Sequence, residues 1–386
     1  MNLNDYFDPI CVENIGKSYL SDKNLLLSQV YLHTQENKIK NIDDYKIAII
    51  GVPDSRSEFK DDSLNGLLKI REYLYSLSRF NKSIEIIDLG NLKPGKTTND
   101  QIVGLRDVIV ELLVLNIVPV VLGSSDDILY SNYHAYSKIE KRINLVSIDS
   151  KINITEKREI NYKSALWKII VEENEALFSF TNIGYQTHFV PSNLIKFLSD
   201  HEHFIYRIGY IRSNIKEVEP IFRDSDFIGL NVSSVRQSDA FGQFEPSPNG
   251  YYGEEICQLA RYSGLSSKLT SFGVYDYNVN KDINFQTAHL IGQVVWYFID
   301  GYLNRVYEYP LDENGDYKKY IVNLDTKEYE LVFYKSEKTN RWWVEIPSYK
   351  NSLNKNLLIS CTYSDYQNAS NGDVPERWLK FFRKLN

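Results

Sequence analysis

The chain has 386 residues, with 51 acidic residues against 44 basic ones, a formal charge of −7 and 43% hydrophobic residues. These values are ordinary for a folded globular protein, so they exclude wholesale disorder, and the acidic balance argues against nucleic acid as a partner. No segment reaches the roughly 18 consecutive apolar residues of a membrane span, and the first residues do not form a signal peptide. We therefore expect a cytoplasmic protein without membrane insertion.

From residue 46, short apolar runs alternate with longer segments of helical periodicity. The predicted strands are 46–53, 84–90, 117–123, 143–149, 180–186, 203–209, 226–233 and 269–277. The predicted helices are 64–78, 100–115, 128–139, 191–198, 217–223, 252–264 and 285–303. Strands that are apolar throughout and separated by helices are typical of a parallel sheet covered on both faces. The pattern predicts a three-layer α/β/α sandwich with a mainly parallel sheet of about eight strands.

After Pro310 the pattern changes to alternation with a period of two, which predicts an antiparallel β-hairpin extension followed by a short helix from Pro375. Such a hairpin is marginal in water by itself, so we expect it to dock on the α/β body. Adjacent Trp342 and Trp343 point to opposite faces of a strand, so either one packs while the other meets a partner, or the tail helix buries both. The expected domains are an N-terminal segment (1–43), the α/β/α body (44–308) and the extension (309–386).

The segment from Gly90 to Thr97, GNLKPGKT, matches the pattern of a phosphate-binding P-loop and follows a predicted strand. A P-loop also needs its Lys and Thr in the first turn of the following helix, so that backbone amides meet the phosphates. Here Pro94 stiffens the loop and better helix caps follow the GKT. An ordinary strand-to-helix loop is the favoured interpretation, with nucleotide binding as an alternative.

Three predicted strands end in small polar clusters, and the carboxyl ends of parallel strands are where α/β sheets place their sites. These clusters are GSSDD, DSKIN and NVSSVRQSDA. They resemble eroded forms of the three metal-binding motifs of the arginase, agmatinase and formimidoylglutamase family, which are GGDHS, DAHxD and SFDxDxxRxSDAP. The resemblance covers roughly residues 44–308 and is closest to the formimidoylglutamase branch. Further matching segments are GVPDSR, DLGN, SPNGYYGEEICQLARYSG, SFGVYDYN and TAHLIGQ.

The resemblance implies an arginase-like fold and, in the family, a pair of manganese ions that activate a hydroxide. The six positions that correspond to the family's metal ligands are Asp126, Asp149, Lys151, Asn153, Asn231 and Ser233. Only Asp149 keeps the family's residue, and a lysine ammonium replaces one ligand. Two divalent cations need anionic ligands, so we expect the manganese cofactor to be lost. We also expect the Lys151 ammonium to fill the former metal site beside Asp126 and Asp149.

Four further positions match the family's loop and pocket segments. Arg236, Ser238 and Asp239 match the VRxSDA part of the third motif, and Asp276 lies where the family has an acidic residue, usually Glu, that receives the cationic end of the substrate. Ligand binding and simple support of the loop are both open for the first three. The six histidines and three cysteines show no metal-ligand spacing and no catalytic context.

Three functional hypotheses follow. The first is a catalytically inactive relative of the ureohydrolases that binds a protein partner or small ligand, with a homo-oligomer as an implied assembly. The second is a hydrolase of a formimino or guanidino C–N bond with an altered metal site. The third is a nucleotide-binding protein that uses Gly90–Thr97.

Overall fold

The structure is a computed structural model of the chain. It describes residues 1–11, 15, 22–54, 60–123, 125, 127–154, 164–310, 316–324, 330–349 and 356–386. Within these ranges, no helix is long and apolar enough to cross a membrane.

A large sheet forms the centre of the body. Its strands in the described residues are β1 (Phe7–Asp8), β2 (Val30–Leu32), β3 (Ile47–Val52), β4 (Ile86–Leu92), β5 (Val118–Gly123), β6 (Ile143–Ile148), β7 (Leu177–Tyr185), β8 (Phe204–Arg207), β9 (Phe227–Asn231) and β10 (Ser271–Tyr275). They lie in the order β1-β4-β3-β5-β10-β9-β6-β7-β8, with β2 also paired to β4. Every pairing is parallel except that of β1 with β4. The predicted, mainly parallel sheet is confirmed.

Helices cover both faces of this sheet. Those described in the body are α1 (Lys60–Ser76), α2 (Thr98–Val114), α3 (Asp127–Lys138), α4 (Ala165–Trp167), α5 (Ser192–Asp200), α6 (Ile208–Ser213), α7 (Glu219–Arg223), α8 (Gly253–Leu265) and α9 (Gln286–Leu303). Successive strand residues alternate between the two layers: Ile47 and Ile49 pack in one apolar cluster, while Ala48 and Ile50 pack in the other. The first cluster includes residues of α1, α8 and α9, and the second includes residues of α2 and α3.

The C-terminal extension is a second sheet with two helices. Its antiparallel strands run in sequence order, β11 (Tyr317–Asn323), β12 (Glu330–Ser336), β13 (Trp342–Ile346) and β14 (Leu357–Cys361), and they are followed by α10 (Tyr363–Ser370) and α11 (Glu376–Leu385). Trp342 and Trp343 are both buried, at 6% and 3% exposure. Both therefore pack within the chain, and neither offers a free surface to a partner.

The extension docks on the body as expected, through a carboxylate that several of its groups share. Asp224, which follows α7, accepts hydrogen bonds from the backbone N–H and the hydroxyl of Ser360. Arg377 of α11 donates to the same carboxylate at 2.7 Å. The Lys380 ammonium donates to the carbonyl of His203, just before β8. These bonds pair polar groups that would otherwise be buried alone, so the junction is held in one position.

The elements predicted from the sequence differ from the structure in three places. β1 and β2 lie in the segment before residue 44 and extend the sheet to ten described strands, although each has only two or three residues. The extension has four strands and two helices rather than a hairpin and one helix. The predicted strand 203–209 ends at Arg207, because the chain then turns into α6 to bury Ile211.

The role of Asp224 can be tested by Asp224→Ala. We expect the free energy of unfolding to fall by about 3 kcal/mol, because the change leaves the largely buried Arg377 without its carboxylate. Urea denaturation measures this loss, and limited proteolysis reports release of the extension. Asp373→Ala, an exposed carboxylate between α10 and α11, is the matched control. An Asp224→Ala protein as stable as the control would contradict this account of docking.

Candidate functional site

The second motif begins where β6 ends. Asp149 follows Ile148 directly, and its backbone N–H donates to the carbonyl of Ile183 on the neighbouring strand β7. The parallel pairing therefore continues one residue beyond β6 and holds Asp149 at the carboxyl edge of the sheet. Its side chain is only 5% exposed. A buried carboxylate at this edge is the feature around which the candidate site is built.

Among the described residues, few groups compensate the Asp149 carboxylate. Its Oδ1 accepts a hydrogen bond from the backbone N–H of Lys151 at 3.0 Å and from the Ser233 hydroxyl at 3.3 Å. Burial raises the pKa of Asp149 to about 6, because these bonds and the nearby Lys151 charge offset only part of the desolvation. The group therefore changes its charge close to neutral pH, which is unusual for an aspartate.

The third motif brings Ser233 to Asp149 through a tight turn after β9. Asn231 ends the strand, and its Oδ1 accepts from the N–H of Ser233 at 2.8 Å. This bond fixes the turn Val232–Ser234 and aims the Ser233 hydroxyl across to β6. Both side chains are buried. Asn231 and Ser233 thus lie beside Asp149 as the motif alignment implies, but as neutral groups.

Lys151 takes a different partner from the one expected. Its ammonium forms an ion pair with Glu245, and it lies 5.0 Å from the centre of the Phe189 ring. The expected ion pair with Asp149 is wrong for the described residues. The long side chain reaches outward, where Glu245 is 54% exposed and the charges need less desolvation. Sequence reasoning missed Glu245 because it lies 94 residues further along the chain, and nothing in the local pattern there marks it as a partner of Lys151.

Two other positions expected at the site add less to its description. Asn153 is half-buried in the segment that follows Lys151. Asp126, which follows β5 in the sequence, lies outside the described residues, so its placement beside Asp149 stays a prediction.

Four buried side-chain oxygens, on residues next to Asp149 and Ser233 or in contact with the backbone of Asp149 and Ser150, have no hydrogen-bond partner among the described residues. They are Ser150 Oγ, Asn182 Oδ1, Gln186 Oε1 and Ser234 Oγ. Asn182 donates to the Asp149 carbonyl at 3.4 Å, and the N–H of Gln186 donates to the carbonyl of Ser150. Buried polar groups in native proteins are normally satisfied, so a cluster of unmatched oxygens indicates a place built to meet hydrogen-bond donors. Sequence reasoning found none of these four residues.

Arg236, Ser238 and Asp239 form a separate cluster that supports a loop. Asp239 Oδ1 accepts from Arg236 Nε at 2.8 Å and from the Ser238 hydroxyl at 3.1 Å, while its Oδ2 accepts from the N–H of Gly253 at 2.9 Å. Burial would raise the pKa of Asp239, but these hydrogen bonds outweigh it and hold the pKa below its usual value. Because Gly253 is the first residue of α8, the cluster caps that helix. The geometry favours loop support, one of the two roles left open above.

Asp276 follows β10 with a left-handed backbone, φ 71°, and is half-buried. Aspartate tolerates this conformation better than most residues because its short side chain can bond locally. The residue therefore lies at the same carboxyl edge as Asp149, on the strand next to β9. Its proposed contact with the cationic end of a ligand stays a prediction.

The Gly90–Thr97 segment lacks the arrangement of a P-loop. α2 begins at Thr98, so Lys96 and Thr97 precede the helix instead of lying in its first turn. The Thr97 hydroxyl accepts from the Asp100 N–H, and the Asp100 carboxylate accepts from the Thr97 N–H. This capping box already satisfies the helix start. The geometry supports the ordinary strand-to-helix loop.

The described donors do not suit two manganese ions. One carboxylate, Asp149, lies among neutral oxygens, and a lysine ammonium is held at another of the family's ligand positions by Glu245. Hard divalent cations prefer several anionic oxygen or imidazole ligands. Within the described parts of the chain, no three His, Cys, Asp or Glu side chains come together as a metal-binding group. No catalytic step is therefore assigned to manganese.

The sequence is similar to two formimidoylglutamases. It is 21% identical to that of Streptococcus gordonii over 291 residues, which cover 69% of this chain and 88% of the relative. It is 23% identical to that of Clostridium tetani over 264 residues, which cover 64% and 78%. No family model matches the chain.

Solved structures share the fold. Trypanosoma cruzi formiminoglutamase, crystallised with Mn²⁺, superposes with a TM-score of 0.63 at 17% identity and covers 74% of this chain and all of its own. Bacillus subtilis formimidoylglutamase gives 0.64 at 18%, covering 73% and 92%. The protein is thus an α/β/α sandwich of the arginase type. The matches in sequence and fold together support its assignment to the arginase family, with a formimidoylglutamase-like sequence.

The donor set leads to an expectation about metal content. After exposure to manganese and desalting, we expect less than one ion per chain by elemental analysis, because the described site offers one carboxylate and a competing ammonium. Lys151→His should not raise the content to two, since Asn153, Asn231 and Ser233 stay neutral. Two bound ions per chain in either protein would refute this interpretation of the site.

The raised pKa of Asp149 gives a pH dependence with a definite sign. The folded protein holds the proton of Asp149 up to about pH 6, whereas the unfolded chain releases it near 3.8, so this group lowers stability as pH rises between those values. Asp149→Asn removes that loss and should raise the free energy of unfolding at pH 8 by up to about 3 kcal/mol, with no gain at pH 3.5.

Asp239→Asn provides the opposite control. Its carboxylate has a lowered pKa, so it stabilises the fold above the ordinary aspartate pKa and loses that effect in acid. The variant should be less stable than the parent at pH 8 and close to it in strong acid. Urea denaturation at a series of pH values measures both, and an Asp149→Asn gain that does not depend on pH would contradict the titration.

Proposed function

We propose that the chain is a hydrolase of a formimino or guanidino C–N bond, with a site that differs from the two-manganese centre of the family. The observation that carries the proposal is the buried Asp149 carboxylate at the carboxyl edge of the sheet, with unmatched polar oxygens on residues of the adjoining segments. The sequence similarity to two formimidoylglutamases supports the same class of compound.

The site suits the cationic end of such a compound. Formimino and guanidino groups are planar cations with several N–H donors, and the described part of the site offers one carboxylate and neutral acceptors. Asp149 would pair with the charge, while side-chain oxygens such as those of Asn182 and Ser150 would accept N–H hydrogen bonds. The Ser233 hydroxyl already donates to Asp149 and fixes its orientation.

Hydrolysis here would rest on proton transfer by Asp149. The carboxylate takes a proton from a water molecule whose oxygen bonds to the formimino or guanidino carbon. The bond from that carbon to the substrate's amine nitrogen then breaks, and the proton passes to the leaving amine, so the products are an amine and formamide or urea. A base with a pKa of about 6 is half-protonated close to neutral pH, which suits a group that must both accept and return a proton.

A second candidate is a catalytically inactive binding protein. The observation that favours it is Lys151, whose ammonium stands at a family ligand position and is paired with Glu245. A binding role needs only recognition of the cation and no activated water. A homo-oligomer or another protein partner belongs to this second candidate and stays a prediction, as does the cytoplasmic location.

Product release separates the two candidates. The purified chain is incubated with formimidoylglutamate or agmatine, with and without a chelator, and formamide, urea and amine are measured. We expect slow release that the chelator does not abolish and that Asp149→Asn lowers about 100-fold or more, since general bases contribute factors of this size. Asp200→Asn, an exposed carboxylate at the end of α5, is the control.

Two outcomes would reject the hydrolase. Binding of either compound by calorimetry without any product favours the inactive binding protein. Product release that is equal in the parent and in Asp149→Asn would remove Asp149 from the reaction.

A further inference from the structure

A cleft lies between the body and the extension, away from Asp149. It has a volume of about 990 Å³ and is bordered by α7 on one side and by β13 and the start of α10 on the other. Arg223, at the end of α7, precedes the start of β9, whereas Asp149 lies at the carboxyl ends of β6 and β9. We call this space the junction cleft. Its α7 side lies near the amino end of β9, at the opposite edge of the sheet from Asp149, and its volume is that of a small-molecule pocket.

The basic residues that line the junction cleft come from both sides of it, and we call them its basic wall. Among the described residues they are Lys216, Arg223, Lys335 and Arg341, against one carboxylate, that of Glu219. Glu219 Oε1 lies 3.3 Å from Arg223 Nε and 3.3 Å from Arg341 Nε, so one negative charge is shared by two guanidinium groups. The two lysines therefore add positive charge for which this wall supplies no carboxylate. Such a surface favours an anion.

Arg223 is the buried member of this wall and is not fully satisfied. It is 7% exposed, and its Nη2 donates to the carbonyl of Trp342 at 3.1 Å. Its Nη1 has no hydrogen-bond partner among the described residues. Burial lowers the pKa of Arg223, which Glu219 restores only in part. A second negative charge in the junction cleft would compensate this buried cation.

The aromatic lining residues form a second wall that adjoins the basic one, with the Lys335 ammonium 5.8 Å from the centre of the Trp342 ring. The Trp342 and Tyr366 rings stack with centroids 5.0 Å apart, and Tyr320 lies 5.2 Å from Trp342. Tyr363 lies 5.5 Å from Trp342 and is 53% exposed, so one ring face of the stack is open to the cleft. Aromatic side chains of this kind stack on planar ligand rings, including nucleobases.

We propose that the junction cleft binds an aromatic anion, with a nucleoside phosphate as the class that matches its two walls. The base stacks on Tyr363 and the rings behind it, while the phosphates meet Lys335, Lys216 and the guanidinium groups. This site is independent of the hydrolase proposal, because it uses none of the residues around Asp149. It is also distinct from Gly90–Thr97, whose helix start is already capped.

The test is calorimetric titration of the full chain with ADP, adenosine and pyrophosphate. We expect ADP to bind at least tenfold more tightly than either fragment, because each fragment meets only one wall. Lys335→Ala and Tyr363→Leu should each weaken ADP binding tenfold or more. Both side chains are partly exposed, so the variants keep the fold, which circular dichroism confirms.

Matched controls lie close by. Lys338→Ala removes the same charge from the turn after β12, and Tyr349→Leu removes an exposed ring beyond β13; neither residue lines the cleft. Both should bind ADP like the parent, and so should Lys96→Ala. No ADP binding at millimolar concentration would overturn the proposal, as would pyrophosphate binding equal to that of ADP. Loss of binding in Lys96→Ala but not in Lys335→Ala would place the nucleotide at Gly90–Thr97 and also overturn it.

Discussion

The burial of the Asp149 carboxylate at the end of β6 is the constraint on which the candidate site depends. In a parallel sheet covered on both faces, the carboxyl ends of the strands are among the few places where polar side chains can gather without crossing the core. Asp149 is held there by the pairing of β6 with β7, and the turn after β9 brings only a hydroxyl to it. With one carboxylate and neutral oxygens among its described residues, the site can neutralise one cation of charge +1, but not two divalent ions. The protonation state of Asp149 therefore governs what the site can bind.

The junction between the extension and the body differs from the Asp149 site, because its buried charges have defined partners. Asp224 meets Ser360 and Arg377, and these bonds join α7 of the body to β14 and α11. Breaking one member of such a set is costly because the others stay buried. Arg223, on the same short helix, is the exception, because its Nη1 has no hydrogen-bond partner among the described residues. Asp224 is therefore a structural contact, whereas Arg223 belongs to a surface that can receive a ligand.

The fold was largely predictable from the sequence, because each body strand is an apolar run and the family motifs occur in order. β1 could not be found in this way, since two residues carry no periodicity. The motifs also pointed to positions beside Asp149, and the Ser233 hydroxyl donates to its carboxylate there. The partner of Lys151 was not found in this way, because Glu245 belongs to a loop whose path depends on the whole fold. Sequence spacing locates residues along strands, whereas ion pairs of long side chains depend on which neighbours cost least to desolvate.

The Lys151–Glu245 pair leaves the Asp149 site open to a cationic ligand, which both the hydrolase and the inactive binding protein require. Had the ammonium lain against Asp149, it would have occupied the position of a cationic ligand, and the site would be closed to one. Because the ammonium pairs with Glu245, the described residues compensate Asp149 only in part, through hydrogen bonds from a backbone N–H and a hydroxyl and through the nearby Lys151 charge, and its pKa stays high. A cation that enters the site gains the full attraction of a poorly compensated carboxylate and thereby lowers that pKa. Binding would thus make Asp149 a weaker base, so tight recognition of the cation and rapid proton transfer oppose each other in this site.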